Sequence, residues 1–179
     1  MSICNVVSGG ITRGCDSNVG GIRRAWFGNF ENIDTVTHGS PTRSITNISL
    51  VNAANKLQLF EFKKNTSNYV ENEAPNEDGE TLVTQLISLV FSRREQSKRD
   101  VLVLLGKGKP DLSCIVEDSN GKYFLFGETN GVNLTANEGG SGTVKTDRNG
   151  YAVTFTGEEP ELASEINTSF DLSTILDDF

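Results

Sequence analysis

The stretch that decides the fold is Thr81-Leu82-Val83-Thr84-Gln85-Leu86-Ile87-Ser88-Leu89-Val90-Phe91, the longest apolar-rich run in the chain. Its period is ambiguous. Val83, Ile87, Leu89 and Phe91 alternate as one face of a strand, whereas Leu82, Leu86 and Val90 also fit a helical stripe. Threonine and β-branched residues lose side-chain freedom in a helix and pack well on a pleated surface, so the run reads as a long strand. Directly after it the pattern changes. Ser92 and Glu95 have the spacing of a capping box, Val101, Leu104 and Leu105 share a helical face, and Gly106 offers a stop. One amphipathic helix is therefore expected over residues 92–105.

Outward from this pair the chain reads as strands and turns. Toward the N-terminus, residues 22–28 form a strand, and residues 45–51 alternate imperfectly. Residues 56–63 alternate more clearly, with Leu57 and Leu59 opposed to Phe60 and Phe62. Residues 8–21, rich in glycine, read as loop, and residues 29–44 as turn-rich. Residues 65–79 are acidic, with room for a short strand and an exposed loop. Toward the C-terminus, strands at 112–118 and 122–127 flank Ser119-Asn120-Gly121, a hairpin signal. A further strand covers 132–136, and a glycine-rich loop covers 137–142. Asp147-Arg148-Asn149-Gly150 turns into a strand at 151–156. Many short strands, short connections and one helix define a mainly β fold, a sandwich or barrel with one packed α-helix.

Composition removes several functions. The 179 residues suit one domain and carry 16 basic and 24 acidic side chains, a net charge of −8. A non-specific nucleic-acid grip needs the opposite balance. Arg23, Arg24 and Trp26 read as a packed tryptophan beside two exposed arginines rather than a stacking platform. Membrane-spanning helices need about 18 consecutive apolar residues, far more than any run here. The N-terminus lacks the basic and apolar segments of a secretory signal. Cys4, Cys15 and Cys114 are an odd, scattered set, read as reduced thiols of a cytosolic product. With a single histidine, His38, no histidine-rich metal centre is possible, and no cofactor or metal site is expected.

Catalytic chemistry is thin. A Ser-His-acid or Cys-His arrangement would have to use His38, which falls in a loop-like Thr-His-Gly-Ser-Pro stretch. The acidic pairs Glu77-Asp78, Glu158-Glu159 and Asp177-Asp178 read as solvated faces, because an acid/base pair needs burial to separate its pKa values. Gly9-Gly10, Gly20-Gly21 and Gly106-Lys107-Gly108-Lys109 match no phosphate-binding spacing. Asp118-x-Asn120-Gly121 lacks the closing acidic ligand of a calcium loop and reads as a tight turn. An enzyme is not expected. The acidic and apolar C-terminus reads as a docking arm or a frayed end.

Four motifs in order carry a resemblance. They are Cys15-Asp16-Ser17-Asn18-Val19-Gly20-Gly21-Ile22 before a strand; Thr84-Gln85 inside the long strand; Val116-Glu117-Asp118-x-Asn120-Gly121-Lys122-Tyr123-Phe124-Leu125-Phe126-Gly127; and Gly142-x-x-x-x-Asp147-Arg148-Asn149-Gly150-Tyr151-x-Val153-Thr154-Phe155. Over residues 3–165 the chain resembles tail tube proteins of tailed phages, in particular those of Bacteroides-like hosts. That resemblance implies a tube-type sandwich closed toward a barrel, similar to the haemolysin-coregulated proteins of type VI secretion. It implies one domain over residues 1–179 with flexible arms at 1–21 and 165–179. It also implies a virion tail structural protein, assembled in the host cytoplasm, forming hexameric rings that stack into a DNA conduit. Other tail proteins would be partners, and DNA would pass without specific binding past a negative wall. Residues 65–79, 137–142 and both ends become expected ring-to-ring contacts. Val83, Gln85, Ile87, Leu89 and Phe91 become the expected subunit interface, if the long strand is an inter-subunit edge. Alternative readings are a capsid decoration or head-completion protein, and a non-catalytic carbohydrate-binding sandwich.

Overall fold

A computed structural model describes residues 10–11, 18–75 and 81–179. Its strands are β1 (Ile22–Asn29), β2 (Ile33–His38), β3 (Ile45–Leu50), β4 (Gln58–Leu59), β5 (Asn68–Pro75), β6 (Thr81–Ser92), β7 (Leu112–Asp118), β8 (Tyr123–Phe126), β9 (Asn133–Gly140), β10 (Gly150–Glu159) and β11 (Ser164–Ile166), with helix α1 (Gln96–Gly106) between β6 and β7. They form a seven-stranded sheet, ordered β2-β3-β11-β8-β7-β1-β4, and a four-stranded sheet, ordered β5-β6-β10-β9. Pairing is antiparallel except between β11 and β3.

The long run is a strand of 12 residues, and its period is strictly two. Val83, Gln85, Ile87, Leu89 and Phe91 point into the space between the sheets, where none is more than 6% exposed. Opposite them stand Ala25 and Phe27 of β1, Cys114 and Val116 of β7, and Phe126 of β8. Phe27 stacks on Phe155 of β10, with ring centroids 4.4 Å apart. A second core lies on the other face of the seven-stranded sheet. Trp26, Ile115 and Leu125, the alternate residues of the same strands, pack there with Ile45, Ile166 and Leu176. Because both faces of the seven-stranded sheet are covered, all of β7 is buried. Burying each large aliphatic or aromatic side chain contributes about 1.5–3 kcal/mol.

Several expectations are corrected. No barrel closes: β5 pairs only with β6 and β9 only with β10, so the molecule is a two-sheet sandwich with one packed helix. The five residues expected at a subunit interface, Val83, Gln85, Ile87, Leu89 and Phe91, fill the chain's own core. Their strand is paired along both edges, so it offers no free edge to a neighbour.

The segment 165–179, expected as a flexible arm, is folded. Leu172, Ile175 and Leu176 are buried in the second core, because Trp26 and Ile115 would otherwise face water. The corresponding segment 1–21 lies largely outside the described residues, as do Cys4, Cys15 and the Glu77-Asp78 pair.

The helix starts later than the capping box suggests. Ser92 is still paired in β6, opposite Gly150. Arg93 then turns the chain with φ 64°, and Glu95 is the N-cap without a side-chain cap bond. Leu102 and Leu105 are the residues of α1 packed inward, while Val101 and Leu104 are exposed.

Within residues 29–44, expected as turns, Ile33–His38 is β2, whose Ile33 and Val36 pack against the second core. Only Gln58 and Leu59 of residues 56–63 pair as a strand. Asn137–Gly140, expected in a loop, extends β9. Gly139 permits this because a Cβ there would sit 3.0 Å from the Tyr151 ring.

Candidate functional site

The four-stranded sheet presents the first candidate surface. Its strands contain neither Lys, Arg nor His, and every charged residue in them is a glutamate: Glu71, Glu73, Glu138, Glu158 and Glu159. The face turned away from the core carries the alternate set, with Thr84, Leu86 and Ser88 on β6 and Ala152, Thr154 and Thr156 on β10. Thr135 of β9 hydrogen-bonds Thr156 there, oxygen to oxygen at 2.8 Å. This face is broad, short-chained and free of positive charge.

Its edges matter equally. β5 and β9 are both outermost strands, and neither pairs with a further strand among the described residues. Three successive antiparallel steps separate them, so β5 and β9 run in opposite directions. An outer strand leaves a row of backbone donors and acceptors unpaired. Thr135–Gly139 of β9 and Asn72–Pro75 of β5 are exposed.

The second candidate is a polar cleft of about 190 Å³ lined by His38, Arg43, Glu128, Glu159 and Glu161. His38 ends β2, and its Nδ1 lies 3.0 Å from the Arg43 carbonyl oxygen. Its Nε2 lies 2.6 Å from Glu128 Oε1. Both partners are acceptors, so the ring makes both bonds as donor only when doubly protonated. The Arg43 carbonyl, foremost, and the Glu128 carboxylate raise the His38 pKa above 6.5. A ring held in this way has no lone pair to act as general base.

Beside it, Glu159 is buried and accepts from the amides of Thr129 and Asn130, the latter at 2.9 Å. Gln85 joins the cleft to the core: its Oε1 accepts from the Gly127 amide at 3.0 Å, and its Nε2 donates to Glu71 at 3.3 Å. Arg43 pairs with Glu161 at 2.8 Å. Each strong group is engaged with a neighbour, an arrangement that clasps β2 and the segment before β9.

Other groups singled out in the sequence are placed as follows. Trp26 is buried, and Arg24 stacks its guanidinium 4.9 Å from the ring centroid while pairing with buried Glu117. Asp118 accepts from the amides of Asn120 and Lys122, which builds the hairpin turn. Burial pushes the Cys114 thiol well above its ordinary pKa, which suppresses the reactive thiolate. Among the described residues no cluster of His, Cys, Asp or Glu is placed to hold a metal ion, and no helix is long and apolar enough to cross a membrane.

The sequence missed the His38–Glu128 pair, because 90 positions separate its members and neither sits in a motif. It also missed the two open edges, which only sheet order reveals. The absence of Lys and Arg from residues 68–75, 81–92, 133–140 and 150–159 was visible in the chain itself.

No protein-family model matches the chain, and neither a curated protein nor a solved structure does.

Proposed function

We propose that the chain is a self-assembling virion structural protein, a tail-tube subunit whose rings form a conduit for DNA. The observation that supports this reading is the four-stranded sheet, with two open edges and a face bearing no positive charge. When β9 of one copy pairs with β5 of the next, the antiparallel alternation continues across the boundary. Repeated around an axis, that contact is heterologous and closes a ring. The ring satisfies the edge groups that a lone subunit leaves open to aggregation.

The outward face of the sheet then becomes the inner wall. A wall with Glu138 and Glu158 and without Lys or Arg forms no ion pairs with phosphate, so DNA passes without being held. The clasped His38 and the buried Cys114 agree with a structural role. The interface in this reading is the pair of edges, β5 and β9, and no longer the core-facing residues of β6.

Hydrogen–deuterium exchange over a concentration series tests the pairing. Amide protection in β5 and β9 rises together as the protein is concentrated. Exchange in both strands that stays independent of concentration contradicts it.

A further inference from the structure

The register of the four-stranded sheet defines two ends. At one, Ser92, Gly150 and Gly140 lie side by side, and β5 begins nearby. At the other, Val83 faces Glu159, and Thr81 faces Pro75. The segments leaving the first end are tied together: the Arg93 amide donates to the Asn149 carbonyl at 2.8 Å, and the Lys63 amide to the Val90 carbonyl at 3.3 Å. They carry Lys63, Lys64, Arg93, Arg94, Lys145 and Arg148, all exposed.

The acids at this end are occupied. Asp147 accepts from the amides of Thr143 and Val144 at 2.7 and 2.9 Å, and Glu95 pairs with Lys98 at 2.8 Å. Amide donation holds the Asp147 carboxyl below its usual range, but its charge is spent on its own loop.

The second end carries Glu73, Glu128, Glu158, Glu159 and Glu161. Its positive charge is Arg43, already paired with Glu161, together with the Glu128-bound His38. Lys107 and Lys109 lie to the side, after α1. Each end also exposes one large aliphatic residue among its charges, Val144 at 59% and Leu162 at 54%.

We propose that copies of this chain dock end to end along the strand direction, the basic end of one against the acidic end of the next. The proposal deepens the tube reading, on which it rests, by naming the contact between successive rings. The charges are segregated along the strands, which is the direction of a ring's axis, and one chain carries both complementary surfaces. Oppositely charged patches steer and register such contacts. Nucleic acid would match the basic end alone and would leave Val144 and Leu162 in water, so a second copy is the better occupant.

Four full-length proteins test this: the native chain; Lys64→Glu with Lys145→Glu; Glu73→Lys with Glu158→Lys; and all four changes together. None of these four side chains has an ion-pair partner among the described residues. Sedimentation velocity and negative-stain electron microscopy are compared at about 0.1 M salt, where charges reach ~10 Å, and about 1 M, where they reach ~3 Å.

The native chain stacks at low salt and shortens at high salt. Each single-end variant stops at unstacked particles, and the combined variant stacks again because its ends have exchanged sign. Normal stacking by the single-end variants overturns the proposal, as does native stacking indifferent to salt. Rings that never stack overturn this proposal and leave the tube reading standing. End-to-end chains without rings do the reverse, and a native monomer at every concentration overturns both. Loss of DNA retention by Lys64→Glu with Lys145→Glu, with stacking unchanged, assigns the basic end to nucleic acid and overturns docking between copies.

Discussion

Trp26 donates its indole N–H to the Asp177 carbonyl at 2.9 Å, a bond that spans 151 positions. It ties the third residue from the end to the centre of the seven-stranded sheet. Leu57 and Leu176 bridge in parallel beside it, and Asp177 donates its amide to the Leu57 carbonyl. The C-terminal segment is thus a lid on the second core, and its hydrogen bonds are part of the sheet's own closure.

Leu176→Ala tests that lid. The side chain is 2% exposed and belongs to the second core. Removing it costs about 2–5 kcal/mol, the range for a buried leucine truncated to alanine. Urea unfolding checks the value. A change under ~0.5 kcal/mol, typical of surface substitutions, shows the segment to be a loose arm.

Gln85→Leu tests the polar tie between the cleft and the core. The leucine fits an apolar site but leaves the Gly127 amide without its acceptor. An unsatisfied buried donor costs about 1–3 kcal/mol. The expected result is a lower urea midpoint, with Gly127 the amide whose exchange accelerates most. An unchanged midpoint contradicts the assigned bond.

The His38–Glu128 contact predicts a pH dependence. The folded-state pKa of His38 is raised, with the Arg43 carbonyl as the first cause and Glu128 as the second. Its contribution to stability is fully present below the unfolded value of 6.5 and is lost as pH rises through the folded pKa. Native protein therefore loses stability across that window relative to His38→Gln, and the two curves run parallel above it. Parallel curves throughout contradict the charged clasp.

Much of the β framework was legible in the chain. The 12-residue β6 and the Asn120-Gly121 hairpin declare themselves through period-two alternation and a turn that tolerates positive φ. The function of β6 was not legible, because alternation says that one face is buried without saying against what. Its apolar face meets β1 and β7, elements far off in sequence. The C-terminal segment looked like a tail for the same reason: Leu172, Ile175 and Leu176 have no strand pattern, and only Trp26 and Ile115 explain them. The helix start was misplaced because Ser92 serves the β6–β10 ladder, where its backbone pairing outweighs a local cap. For the candidate surface, the lack of Lys and Arg in four strands was readable, whereas their neighbour order was not.

The uncharged wall makes its own prediction. Thr84→Lys with Thr154→Lys places two cations on the outward face of the sheet without touching the core. Folding stability changes by no more than about 0.5 kcal/mol. Pelleted assemblies of the variant retain labelled DNA that native assemblies release, and the difference vanishes as salt approaches ~1 M. Equal retention by both proteins contradicts the role given to that face.

Negative-stain electron microscopy of the purified native chain across a concentration series tests self-assembly most directly. Closed rings of one diameter, giving way to hollow tubes of that same diameter as concentration rises, are the predicted result. Monomers at every concentration, or compact oligomers without a central channel, would contradict it.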